Sequence, residues 1–324
     1  MNSWRKGFAR KGFTYVLIVS FLLAVLLVVF LTVNNYHYQD SQELYQKRIL
    51  VMNDFVKGLN QDIMRASFIS GFRTLVALED YTSRSGVFLN NTADSFKETF
   101  YYGTINGTPA TIMNDSSFSD YLARVNMLAA NIGLAVNITV IEIQLDQSDP
   151  WSVDITVIAQ VNISDTRKLA SWKYVKAYTT NVPIYNLRDP LYGFYTHNTV
   201  PNTIRVLNTT TLVYQNNTEN LTILLNESYY IASPDAPNFL MRFENRSDAN
   251  PYGIQSVVNI PLLSDQGLEV YPNRIKVDYM YFNNIDAPKI CAISGIPATL
   301  YTVLSQSQIA LYQVQGLNYS TTCP

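Results

Sequence analysis

Between Phe13 and Val33 the chain reads FTYVLIVSFLLAVLLVVFLTV, with no charge and no proline. As a helix rising 1.5 Å per residue, this stretch reaches roughly 30 Å, the thickness of one bilayer core. Lipid or other apolar surface has to solvate such a segment, and this restricts everything attached to it. WRKGFARKG precedes it, with Arg5, Lys6, Arg10 and Lys11; NNYHYQDSQELYQ follows, with no Lys or Arg before Lys47. The basic flank stays on the cytoplasmic side of a membrane. We therefore expect residues 1–12 to form a cytoplasmic leader, residues 13–33 a transmembrane helix, and the remainder to lie outside the cell. A cleaved secretory signal fits poorly, because the apolar core is too long and no small-residue cleavage site follows it.

The exported part is long enough for one large or two small domains with real cores. Only 15% of the residues are charged, and Asn, Thr, Ser and Tyr supply the polarity instead. A net charge of -2 argues against nucleic acid or anionic lipid headgroups as main partners. The Asn-x-Ser/Thr acceptor sequence for N-glycosylation occurs at Asn90, Asn106, Asn114, Asn137, Asn162, Asn208, Asn216, Asn220, Asn226, Asn245 and Asn318, always beyond the apolar stretch. Such density favours an exported glycoprotein. Cys291 and Cys323 are the chain's two cysteines. On the outer side of a membrane they are expected to form a disulfide closing a loop of about 30 residues, worth roughly 3–4 kcal/mol. Their spacing fits no zinc pattern.

Past the apolar stretch the pattern stays helical. Tyr45, Ile49, Met52, Val56, Leu59, Ile63, Ala66, Ile69, Phe72 and Val76 follow one another in steps of three and four, and Gln46, Lys47, Asn53, Asp54, Lys57, Asn60 and Gln61 fill the other side. No proline interrupts Phe13 to Leu78, so the two parts are expected to form one rod of roughly 100 Å. Tyr36, His37 and Tyr38 would sit at the membrane interface, and Gly58 and Gly71 are positions where the helix could bend.

The boundary ahead of the rod adds a family resemblance. KGFT at Lys11 to Thr14 resembles the prepilin peptidase site, a class III signal peptide, of type IV pilins. The resemblance implies cleavage between Gly12 and Phe13, which would make the apolar stretch the mature N-terminus. It also implies a prepilin-type peptidase and like subunits as partners. The family's fifth mature residue is usually glutamate, whereas Leu17 stands here, as is common in archaeal pilins. A long helix, apolar first and amphipathic second, is also how such pilins are built. The stretch from FLMRFENRSDANPYGIQSVVNIP to VDYMYF is similar to segments of archaeal pilin-like surface proteins.

Residues 83–117 read as a surface loop with one short strand near Thr99 to Ile105. A helix from Phe118 to Ile132 follows, with a capping box at Ser117 and Asp120 and a stop at Gly133. Alternation then marks strands: Val136 to Leu145 with a phase flip at Val140–Ile141, Trp151 to Ile163, and Trp172 to Val182. Short connections make these an antiparallel meander whose apolar face needs the N-terminal helix as cover. Asn137 and Asn162 fall on the polar phase of their strands. After a break at Arg188 to Gly193 we expect a second domain, residues 200–324, mostly β and closed by the disulfide. In it we place a hairpin over Asn208 to Asn226, a helix over Asn238 to Glu244 capped by Asp235, strands at Ile275 to Phe282, Cys291 to Ile293 and Leu300 to Leu304, and a last strand at Ile309 to Val314.

Catalysis needs converging titratable groups in a recognisable frame. His37 and His197 sit in none, and no nucleophile elbow, phosphate loop or dinucleotide fingerprint is present. Asp248 and Asn250 read as an Asx-rich turn before they read as a calcium loop. Tyr174, Tyr178, Tyr185, Tyr192 and Tyr195 could line a sugar or partner surface, or simply be half-buried sheet residues. The expected class is α+β, with a long helix packed on an antiparallel sheet and a β-rich domain after it (residues 34–192 and 200–324). The expected role is non-enzymatic: a glycosylated, membrane-anchored subunit of a surface filament with a part in adhesion, needing no cofactor, metal or small-molecule substrate. The alternative is a single-pass surface protein that never polymerises and binds a partner through its C-terminal domain.

Overall fold

The computed structural model describes residues 5–323, with side chains for residues 12–33, 43 and 45–323. Residues 1–4 of the expected leader lie outside the described residues. So do the side chains of Arg5, Lys6, Arg10 and Lys11 and of Tyr36, His37 and Tyr38. The protein is α+β, as expected. It divides into two compact units, one of residues up to Asn60 with Ser164–Ser171, the other of Gln61–Ile163 with Trp172–Pro324.

Helix α1 runs from Arg5 to Ser85, without the prolines that would remove its ladder hydrogen bonds. In the first unit Met52 and Leu59 are buried while Tyr45, Ile49, Leu50 and Val51 are exposed. Ser164–Ser171 belongs to this unit as a tight turn, in which Asp165 N–H donates to Ala170 C=O at 3.0 Å and Lys168 N–H to Asp165 C=O at 2.8 Å. Arg48 bonds the buried Asp165 carboxylate through Nε at 2.9 Å and Nη2 at 2.8 Å. This guanidinium holds the Asp165 pKa below the usual carboxylate value.

In the second unit, the last turns of α1 cover a three-stranded sheet. Helix α2 spans Thr92–Tyr102, β1 Thr104–Ile105, β2 Thr108–Pro109 and α3 Phe118–Asn131. The strands β3 (Leu134–Asp149), β4 (Ser152–Asp165) and β5 (Ser171–Pro183) then form a meander in the order β3-β4-β5. The central strand shows why the pattern is legible. Val153, Ile155, Val157, Ala159, Val161 and Ile163 are at most 1% exposed, and the intervening side chains face partly outward. In β3 the burial phase flips where Ile141 and Glu142 are both exposed, one step beyond the expected position. Gly71 lets helix and sheet approach closely, because a Cβ there would stand 2.1 Å from Ile155 Cδ1. α3 begins with the expected capping box: Asp120 N–H donates to Ser117 Oγ, and the Asp120 carboxylate accepts from Ser117 N–H.

The expected stripe is only half right here. Ile63 and Ala66 are buried, but Ile69 is 53% and Phe72 38% exposed, and Ser67, Ser70, Thr74, Leu75 and Leu78 face inward. Steps of three turn about 300° at 3.6 residues per turn, so three of them carry Phe72 to the side opposite Ile63. α2 also corrects an expectation, since Asn91 caps it by accepting from Asp94 N–H at 3.0 Å and Phe96 and Phe100 are fully buried. The polar composition around these phenylalanines masks the helix.

Beyond β5 the chain is built of short pieces. These are α4 (Pro190–Tyr195), α5 (Glu219–Asn226), β6 (Ile231–Ala232), α6 (Phe239–Arg242), β7 (Ile254–Gln255), α7 (Ile260–Asp265), α8 (Asp278–Phe282), β8 (Lys289–Cys291) and β9 (Val303–Ser305). The mostly-β expectation is corrected: the strands are two or three residues long and pair as β6-β7 and β8-β9. The hairpin over 208–226 shrinks to a turn between Tyr214 and Asn217, followed by α5. Asn238, not Asp235, caps α6, accepting from Met241 N–H at 2.9 Å. The strand over 275–282 is replaced at its C-terminal half by α8. Alternation misleads there because both phases from Ile275 to Tyr281 are buried. Residues 309–314 form turns that bury Tyr312 and Val314. Nor does a boundary at 192–200 divide this unit. Leu89 N–H donates to Phe243 C=O at 2.9 Å, and Phe239 N–H to Gln147 Oε1 at 3.0 Å.

Candidate functional site

The apolar part of α1 is the leading candidate. Gly12–Val33 is 22 residues long, wholly unburied, and long and apolar enough to cross a membrane. Phe13 and Phe21 are each 69% exposed, and Leu17 is exposed as well. The helix returns its hydroxyls to its own backbone: Ser20 Oγ donates to Leu17 C=O at 3.0 Å, and Thr32 Oγ1 lies 3.0 Å and 2.9 Å from the carbonyls of Val28 and Val29. Back-bonding of this kind satisfies a donor where no water is present. Gly12 has open space where a Cβ would stand, so no packing demand within the chain requires glycine there.

Further along α1, Met64, Phe68, Ile69 and Phe72 form an exposed apolar strip. Spacing of four places Met64, Phe68 and Phe72 on one side of the helix. Arg73, beside them, is fixed by Nη1 donating to Ser116 Oγ at 2.8 Å. This strip combines the expected stripe's outward members with residues that periodicity had not singled out.

No sequon asparagine is buried. Asn90, Asn106, Asn114, Asn137, Asn208, Asn216, Asn220, Asn226 and Asn318 are exposed, and Asn162 and Asn245 are partly exposed. Cys291 and Cys323 are joined by a disulfide, with Cα atoms 5.8 Å apart. Other suggested sites disperse. Tyr178 and Tyr192 are buried, Tyr185 stacks on Trp151, and Tyr195 stacks on Phe282. Asn250 makes the expected Asx turn by accepting from Tyr252 N–H at 2.9 Å, and Asp248 accepts from Arg246 at 3.1 Å. Among the described residues no group of three or more His, Cys, Asp or Glu side chains could hold a metal ion.

No protein-family model, curated protein or solved structure matches this chain. Its own residues therefore carry the functional argument.

One feature escaped sequence reasoning altogether: a buried charge cluster centred on Arg242. Nη1 of this arginine donates to Asp189 Oδ2 and, at 3.1 Å, to Asp278 Oδ2, while Nη2 donates to Ile254 C=O and to Asp278 Oδ1 at 3.3 Å. All three charged side chains are fully buried. Tyr230 Oη donates to Asp189 Oδ2 at 2.6 Å, and Ser256 donates to Asp278 Oδ2 through N–H and Oγ, both at 2.9 Å. Burial pushes the Asp189 pKa up, against the pull of Arg242. For Arg242 the loss of water opposes the charge, but Asp189 and Asp278 more than offset it and raise the pKa. The cluster ties α4, α6, β7 and α8 together, and its reach is structural. Its sequence signal was single charges inside apolar runs, LMRF and VDYM. Lys276, also buried, donates from Nζ to the carbonyls of Tyr271 at 2.8 Å and Pro272 at 2.6 Å. Burial, helped by nearby Lys289 and Arg274, lowers its pKa to about 7.

Proposed function

We propose that this protein is a non-enzymatic, glycosylated surface subunit of the type IV pilin kind. Residues 1–12 face the cytoplasm, residues 13–33 cross the membrane, and the bulk lies outside. A prepilin-type peptidase removes Met1 to Gly12, and the freed helix leaves lipid to pack with copies of itself in a filament. The observation that carries this reading is the exposure of every large apolar side chain of α1 from Phe13 to Val33, immediately after the KGFT boundary. Such surface needs lipid at one stage and can be covered by neighbouring helices at another. The exposed strip of Met64, Phe68 and Phe72 supplies further helix surface for copies to cover.

Protein purified from its native membranes should begin at Phe13 by intact mass and N-terminal sequencing; an intact Met1 or Asn2 sinks the reading. Gly12→Leu should block processing and abolish filaments. Because Gly12 meets no neighbour, the substitution leaves the folded units unstrained, and a processed Gly12→Leu protein would also end the argument.

The alternative, a surface protein that stays monomeric and grips a partner, draws support from a cleft of about 350 Å³ beside Cys291, lined by Pro272, Ile293, Ile296, Tyr301 and Val303. It predicts an unprocessed N-terminus and no filament.

A further inference from the structure

The β1–β2 hairpin pairs Ile105 with Thr108 around the two residues Asn106 and Gly107. Their φ values of 50° and 75° are those of a type I′ turn, which suits Asn-Gly. Glu98 Oε1 fixes the turn, accepting from Gly107 N–H and from Thr104 Oγ1, both at 2.8 Å. Asn106 is the acceptor of one N-x-Thr sequon, and Thr108 is its hydroxyl residue. The Asn106 amide is therefore held in place: Nδ2 donates to Tyr81 Oη of α1 at 3.1 Å. Tyr81 and Thr108 are themselves walls of an open groove of about 390 Å³, with Ile105, Pro109 and the ion-paired Asp80 and Arg84 also lining it.

We propose that this groove seats the first sugars of a glycan on Asn106, so that this glycan is part of the folded structure. The inference rests on the reading of the chain as a glycoprotein. Linkage replaces one Nδ2 N–H bond with a bond to the sugar C1; the proton and the phosphate leaving group of a lipid-phosphate-linked sugar donor depart. The second Nδ2 N–H remains to donate to Tyr81 Oη. The Tyr81 ring and Pro109 offer apolar surface for the C–H side of a pyranose, with a polar tip at the ring's end. Asp80 and Arg84 offer an acceptor and donors for hydroxyls. The volume lies at the small end of ligand sites, which suits one or two rings. Asn137, by contrast, projects from the solvent phase of a strand.

The test pairs glycopeptide mapping with melting curves of the full-length protein in detergent. Protein from native cells should carry sugar at Asn106. Thr108→Ala removes the sequon but keeps Asn106 and the turn; Thr139→Ala does the same for Asn137. Thr108→Ala should lower Tm by about 2–4 °C more in glycosylated protein than in protein from a host without N-glycosylation. Thr139→Ala should show no such gap, and Tyr81→Ala should erase the gap at Asn106. Sugar at Asn106 with equal Tm changes in both materials overturns the proposal. Sugar at other sequons but none at Asn106 overturns it too, leaving the glycoprotein reading intact. No sugar at any sequon overturns both.

Discussion

Residues 13–33 and residues 184–324 handle apolar surface in opposite ways. Along the helix every large apolar side chain is left in the open, and order comes from the backbone ladder and from hydroxyls bonded one turn back. In the C-terminal stretch the regular elements are too short to hold themselves together, yet Leu191, Leu221, Ile275, Ile290, Leu304 and Val314 are buried in one core. There a charged knot at Arg242 fixes the pieces. The first region leaves its apolar surface uncovered; the second buries its own within the chain.

The sharpest way to break this contrast is to cut the knot. Arg242→Met leaves Asp189 and Asp278 buried without their cation and should destabilise the second unit by roughly 3–5 kcal/mol, read as a shift in the denaturant midpoint of the full-length protein in detergent. A loss under about 1 kcal/mol would mean that the apolar core alone specifies the arrangement. The converse experiment places a charge in the helix. Leu26→Arg should cost about 2.5–3.5 kcal/mol of membrane insertion and lower the membrane-bound fraction in flotation, with the denaturant midpoint unchanged. A parallel drop in that midpoint would show that the two regions are not independent.

The third test concerns pH. Lys276 has its amine pKa lowered from 10.5 to about 7 in the folded protein. Between about pH 7 and 10.5 the unfolded chain therefore binds more protons than the folded one, so stability rises with pH across that window. Below about pH 7 both states carry the charge, and the slope disappears. Lys276→Met should flatten the rise; an unchanged slope in chemical denaturation at pH 7.5 and 9.5 would assign it to other groups.

The same contrast explains what the sequence disclosed. Period-2 and period-3.6 signals work where one face meets solvent and the other does not. Hence the alternation of β4 was readable, while the proline-free helix from Phe13, the capping box at Ser117 and the Cys291–Cys323 pairing were legible from residue types rather than from periodicity. From Ile275 to Tyr281 all residues are buried, so alternation named a strand where the chain turns into α8. Arg242, Asp189 and Asp278 are distant in sequence and meet only after α4, α6 and α8 have packed. The groove beside Asn106 is likewise made by a helix and a hairpin, whose Tyr81 and Asn106 lie 25 residues apart in sequence.

Gly71 has a mechanical meaning. With Ile155 Cδ1 occupying the place of its absent side chain, helix and sheet fit like a shaft and its key. Sliding α1 by one turn along the sheet would drive Leu75 or Ser67 against Ile155, in an interior with no spare volume. A pull along the helix axis is thus met by side-chain bulk as well as by hydrogen bonds.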